Sequence, residues 1–219
     1  MSRAPRLLYA ACLALCLSLT FARESEAQQD GEYKAQAIQF LATREPQLQT
    51  LADEPNEKIR LSKRLHLLIG LAPAALYAGE SAKAAAYAQE LLPLGERLQD
   101  SPGFGPGLYS DATHVGNLVL GRLALMAGDV GKAREHLLAS GRVPGSPVLK
   151  SFGPNMRLAR ELIEKGERDA AVEYLDLCAK FWEKEGGRLA GWKAVIKDGG
   201  MPNFAQNLGT QLTSWRFAK

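Results

Sequence analysis

Apolar residues recur three and four positions apart along most of this chain, a spacing that predicts helices joined by short polar breaks. A helix over 33–43 puts Ala37, Phe40 and Leu41 on one side, and Glu45-Pro46 ends it because the residue before a proline avoids the helical region. Residues 48–52 read as a short second piece. From Asn56 the stripe Ile59, Leu61, Leu65, Leu68, Ile69, Ala72 is helical, with Pro73 as a kink or restart. Ser81 is expected to cap a helix through Ala84, Tyr87, Ala88 and Leu91 towards Leu98.

The clearest break is 101–107, where alternating prolines and glycines sustain neither a helix nor a ladder. Helical spacing resumes at His114, Leu118, Leu120, Leu123 and Leu125, stops at Gly128-Asp129 and restarts through Ala133, Leu137 and Leu138, which predicts a hairpin with a tight turn. Residues 141–154 read as irregular. Within them Gly145-Ser146-Pro147 and the run from Ser151 to Met156 either offer backbone N–H groups to an anion or form an interhelical linker with Ser151 as a local cap. Pro154 opens a helix over 155–165, Gly166-Glu167 separates it from one over 168–183, and Gly186-Gly187 precedes a short terminal helix over 189–197. The tail from Gly199 is weakly specified.

The chain is 219 residues with 46% hydrophobic content, enough for one medium domain or two small ones. Aromatics at 7% are few beside the abundant Ala and Leu, so the fold class expected is all-α. Lys+Arg 27 against Asp+Glu 24 is a bias too small and scattered to argue for nucleic acid or an anionic membrane.

Arg3 and Arg6 followed by the apolar run 7–21 and the small residues around Ser25-Glu26-Ala27 read as a secretory signal cleaved after Ala27. The run is 15 residues, short of the roughly 20 that a spanning helix needs, although an uncleaved anchor stays open. Cys16 follows Leu15 and Cys12 comes early in the run, so lipidation is a minor alternative. The signal implies an exported protein, periplasmic or secreted and bacterial; cleavage removes both cysteines and leaves Cys178 alone, so packing rather than disulfides is expected to hold it. Cys178 shares a helical face with Tyr174, Leu177 and Phe181 and reads as a buried structural thiol.

Three hairpins share a layout in which a helix ends at a glycine and an alanine stands five residues beyond it: Gly79 with Ala84, Gly128 with Ala133, Gly166 with Ala171. Leu71-Ala72, Leu120-Gly121 and Leu158-Ala159 precede the glycines by eight and seven positions, and Ser140 and Cys178 occupy a later small position that Leu91 does not fill. From Ile59 to Trp182 this resembles the tetratricopeptide (TPR) repeat, degenerate and unevenly spaced, with Leu68, Asn117 and Asn155 where that family carries Trp. The resemblance implies antiparallel helical hairpins stacked as a right-handed solenoid, the domain spanning 28–198 between the signal and the tail 199–219. It implies further a concave groove that binds a peptide or protein partner. Its groove positions here are His66, Ile69 and Tyr77, then Leu118, Arg122 and Met126, then Met156, Arg160 and Glu164, with Arg122 and Arg160 either reading a carboxylate or standing as ordinary solvated residues.

No phosphate loop, dinucleotide fingerprint, nucleophile elbow, paired-cysteine zinc spacing or His-Glu-x-x-His helix occurs, so neither a catalytic residue nor a cofactor or metal is expected. The function expected is a non-enzymatic exported scaffold. Two alternatives stay open: a hydrolase or metal-dependent enzyme using Asp111 with His114, and a structural subunit of an envelope assembly.

Overall fold

The computed structural model describes residues 31–100 and 105–209, so the signal segment expected over 1–27 lies outside the described residues. The described chain is helical throughout: α1 (31–44), α2 (Gln47–Thr50), a 3₁₀ turn (Leu51–Asp53), α3 (Glu57–Ala78), α4 (Ser81–Leu98), α5 (Gly105–Met126), α6 (Val130–Gly141), α7 (Pro147–Phe152), α8 (Arg157–Glu164), α9 (Arg168–Cys178), α10 (Arg188–Lys197) and a second 3₁₀ turn (Ala205–Asn207). No strand occurs among these residues.

Three turns are built alike. Gly79 sits at φ 87°, and its N–H and that of Glu80 return to the carbonyls of Leu76 and Ala75, closing the last turn of α3 in a left-handed conformation that costs a glycine nothing. Gly128-Asp129 and Gly166-Glu167 repeat the same bonds. In each case the N–H of the alanine five residues on, Ala84, Ala133 or Ala171, bonds the carbonyl of the residue after the glycine, and all three alanines are fully buried. A methyl group there lets the paired helices approach near their turn.

Each turn reverses the chain, and the pairs stack in order: α3 packs on α4 and α5, α4 on α5, α5 on α6 and α8, α6 on α8 and α9, and α9 on α10. Small residues set the spacing. A β-carbon on Gly95 would meet Ala112 at 2.8 Å, and one on Gly116 would meet Leu92 at 2.9 Å, so α4 and α5 nest backbone to backbone. Helix α1 lies antiparallel on α3, with Phe40 against Gly70 at one end and the Tyr33 ring edge-on to Tyr77, 5.8 Å between centroids, at the other. Glu45 ties the end of α1 to Lys83 and to the Tyr87 hydroxyl of α4. One apolar core runs from Ala37 and Leu41 through Leu68, Leu118 and Leu137 to Tyr174 and Phe204.

Several local expectations are corrected. Helix α3 runs on through Pro73, which removes the restart among the two readings of that proline, and Ser81 is the first helical residue rather than the cap, since the hairpin turn leaves Glu80 in that position. Helix α5 begins at Gly105, with Pro106 in the first turn, where its missing N–H costs nothing; residues 101–104 are outside the described ones. The stretch 141–154 contains α7, capped by Ser146, whose hydroxyl accepts from the Leu149 N–H, while Ser151 lies within the helix. Helix α8 starts at Arg157 instead of 155, because the Asn155 side chain accepts the Arg157 N–H and the Met156 N–H is given to the carbonyl of Asn207. Helix α9 stops at Cys178, after which Phe181 and Trp182 turn inward and are buried.

The tail from Gly199 is packed through residue 209. Phe204 and Asn207 are 2% exposed, and the Asn207 amide donates to the carbonyls of Phe152 and Pro154, both at 3.0 Å. Trp192 stacks between Trp182 and Phe204 and seats this segment on α9 and α10.

Candidate functional site

The first helices of the three hairpins, α3, α5 and α8, are neighbours, and α3 and α5 run in the same direction, since Tyr77 meets Arg122 while His66 and Asp111 share a hollow. His66 and Tyr77 stand eleven residues apart on α3, as do Asp111 and Arg122 on α5. Eleven residues make three helical turns, about 16 Å, so each pair shares a face. At one end the Arg122 guanidinium lies over the Tyr77 ring, 5.4 Å from its centroid, and at the other Asp111 and His66 border the same hollow.

The Tyr77 end is a closed polar cluster. Arg122 turns Nε and Nη2 to both oxygens of Glu161 at 3.0–3.1 Å, its side chain only 13% exposed. Arg157 lies over the same Tyr77 ring at 5.4 Å and reaches Glu161 at 3.6 Å. Arg122 is thus bound inside the protein, whereas Arg160 pairs along its own helix with Glu164 at 3.2 Å near the surface. Arg157 was not singled out from the sequence; its spacing of four from Glu161 was the available signal. Around the cluster, a hollow of about 340 Å³ is bordered by Lys34, Leu76 and Met126, the last 65% exposed. A cleft of about 650 Å³ separates Arg160 and Glu164 from the C-terminal segment at Met201, Asn203 and Leu208.

Leu118 and Met156 leave the groove set. Both are fully buried, Leu118 because α5 is enclosed by α3, α4, α6 and α8, and Met156 because the segment ending at Leu208 is hydrogen-bonded across its backbone. His66 is exposed, with Nδ1 against the Ser62 carbonyl at 2.8 Å, and Ile69 is half-buried.

His114 is fully buried. Nδ1 donates to the Ser140 carbonyl at 2.9 Å and Nε2 accepts the Asn155 N–H at 3.4 Å, which defines a neutral ring whose pKa burial pushes down to about 4. Asp111 turns away from it and accepts the Ser146 hydroxyl at 2.6 Å. The two residues read together from the sequence therefore serve different ends: His114 crosslinks α5 to the end of α6 and the start of α8, with both nitrogens engaged, and Asp111 faces a surface hollow. Among the described residues no group of three His, Cys, Asp or Glu side chains could hold a metal ion, and no helix is long and apolar enough to cross a membrane.

No family model, curated protein or solved structure matches this chain. Cys178 adds no reactivity to it, since burial holds its thiol well above the ordinary range, out of reach of solvent. The loop at Gly145-Ser146-Pro147 is used internally, with the Ser146 hydroxyl and carbonyl taking the N–H groups of Leu149 and Lys150.

Proposed function

We propose that this chain is an exported, non-catalytic helical-repeat scaffold, TPR-like in arrangement, that holds a peptide or protein partner along the face carried by α3, α5 and α8. The observation that supports it most is the common direction of α3 and α5, which sets charged and aromatic side chains in two rows three turns long. The positions on this face that reach the surface, His66, Met126 and Arg160, are spread along it, which suits an extended segment better than a compact small molecule. The non-catalytic part leans on His114, whose ring nitrogens are both committed to backbone groups. Export leans on the basic start, the apolar run and the small residues before residue 28.

Selection of a displayed random-peptide library on the purified protein tests the reading, with a Met126→Asp/Arg160→Glu variant alongside. Both side chains reach the surface, so the variant should melt like wild type while losing about tenfold or more in affinity for the enriched peptides. Peptides that bind both proteins equally would move the partner off this face. Absence of enrichment in every round would count against a peptide-binding scaffold.

A further inference from the structure

We infer that the hollow at the His66 end of this face is a pocket for a basic side chain, lysine or arginine, with Asp111 as its counter-ion; the inference rests on the partner-binding reading and names what that partner must carry. The hollow, about 630 Å³, opens between α3, the first turns of α5 and the entry to α7. Among the described residues that line it, Asp111 is the one carboxylate.

Asp111 is held in place for this role. The Ser146 hydroxyl donates its proton to Oδ1 of Asp111 at 2.6 Å while its oxygen accepts the Leu149 N–H. Ser146 is fully buried at the start of α7, which makes the carboxylate's orientation part of the fold.

Charge is short around it. Lys150 borders the hollow, but its ammonium is committed to Glu183 at 3.0 Å, and His66 has Nδ1 turned to its own helix. Burial raises the Asp111 carboxyl above its ordinary value although the Ser146 bond and the His66 charge both act to lower it. A half-buried carboxylate that is held by the Ser146 hydroxyl and makes no ion pair among the described residues gains from a cation brought by a ligand.

The walls choose the kind of cation. Leu108, Pro147 and Val148, the last 44% exposed, are apolar, and they form a trough beside the carboxylate rather than a polar cage. The methylene stem of a lysine or arginine lies along such a surface while its charged end reaches the acid, whereas a hydrated metal ion or an anion finds neither a second carboxylate nor a way around Asp111.

An NMR titration of the purified protein with N-acetyl-arginine methylamide and N-acetyl-lysine methylamide tests the pocket, with N-acetyl-glutamate methylamide as control. Asp111→Asn keeps an oxygen that accepts from Ser146, so its spectrum should stay folded. Saturable shifts at the amides of Leu108, Asp111, Gly145 and Val148 are expected in wild type, about tenfold weaker in Asp111→Asn, and absent with the glutamate derivative. Equal saturation of both proteins, shifts confined to other residues, no saturation at all, or preference for the glutamate derivative would each overturn the assignment. The peptide library separates this from the broader reading. Enriched peptides that require a lysine or arginine and lose affinity for Asp111→Asn support both. Enriched peptides that lack a basic residue and ignore Asp111→Asn sink the pocket and leave the scaffold standing. Arginine binding lost in Asp111→Asn, with no peptide enriched, keeps the pocket's chemistry and rejects the peptide partner.

Discussion

Gly153 and Trp182 meet with no space for a side chain between them: a β-carbon on Gly153 would stand 2.3 Å from Cε2 of the indole. Gly153 also holds φ 78° and ψ 176°, a combination open in practice only to glycine. Gly153→Ala should therefore cost about 3 kcal/mol or more, the sum of backbone strain and overpacking. Gly128→Ala meets nothing within 4 Å of its new methyl and should cost only the left-handed backbone, about 1–2 kcal/mol. Urea unfolding of the two variants gives the comparison, and equal losses would mean that Trp182 moves aside without penalty.

His114 makes stability pH-dependent. Its folded pKa of about 4 lies below the unfolded 6.5, so the unfolded chain binds the extra proton first as pH falls. The contribution is fully present above pH 6.5 and is lost as pH drops towards 4, amounting to roughly 3 kcal/mol over the interval. Unfolding free energies at pH 7, 5.5 and 4 should show this slope, and His114→Gln should flatten it.

Glu161 pairs with Arg122 and Glu164 with Arg160, yet the two should differ in weight. Glu161→Ala strips the carboxylate from Arg122, whose side chain is 13% exposed, and should cost about 2–3 kcal/mol. Glu164→Ala removes a surface pair within one helix and should cost less than about 0.5 kcal/mol. Melting curves of the two variants test the ranking. Similar curves would mean that water reaches Arg122 as readily as Arg160.

Asn207 anchors the C-terminal segment by donating to two carbonyls of the α7–α8 connection. Asn207→Ala leaves both without that donor and should cost about 2–3 kcal/mol. The loss should be local first: amide hydrogen exchange at 203–208 should quicken well before exchange in α3 or α5 does. Uniform acceleration would show instead that the segment is part of the cooperative core.

The three glycine turns and the helices around them were legible because their causes lie within a few residues. Apolar spacing selects the helix, and Gly79, Gly128 and Gly166 end it by a conformation that other residues resist. The boundaries that went astray, at 155–156 and after Cys178, are those where a distant partner claims the backbone or a core contact turns the chain: Asn207 takes the Met156 N–H, and Phe181 and Trp182 swing into the core.

The candidate site divides the same way. Periodicity marked the first helices of the hairpins, and the resemblance to the tetratricopeptide repeat picked out His66, Tyr77, Arg122, Met126, Arg160 and Glu164 on them. Neither could tell that Arg122 is bound to Glu161 of another hairpin while Arg160 stays near the surface, that Leu118 and Met156 are enclosed, or that Asp111 shares a hollow with His66 while His114 is buried in the core. The amino-acid order by itself determined the longer helices and the three glycine turns, since these depend on groups three to five residues apart. Tertiary structure alone decided which polar side chains meet solvent and which meet each other, because contacts such as Tyr77 with Arg157, 80 residues apart, arise only when whole helices pack.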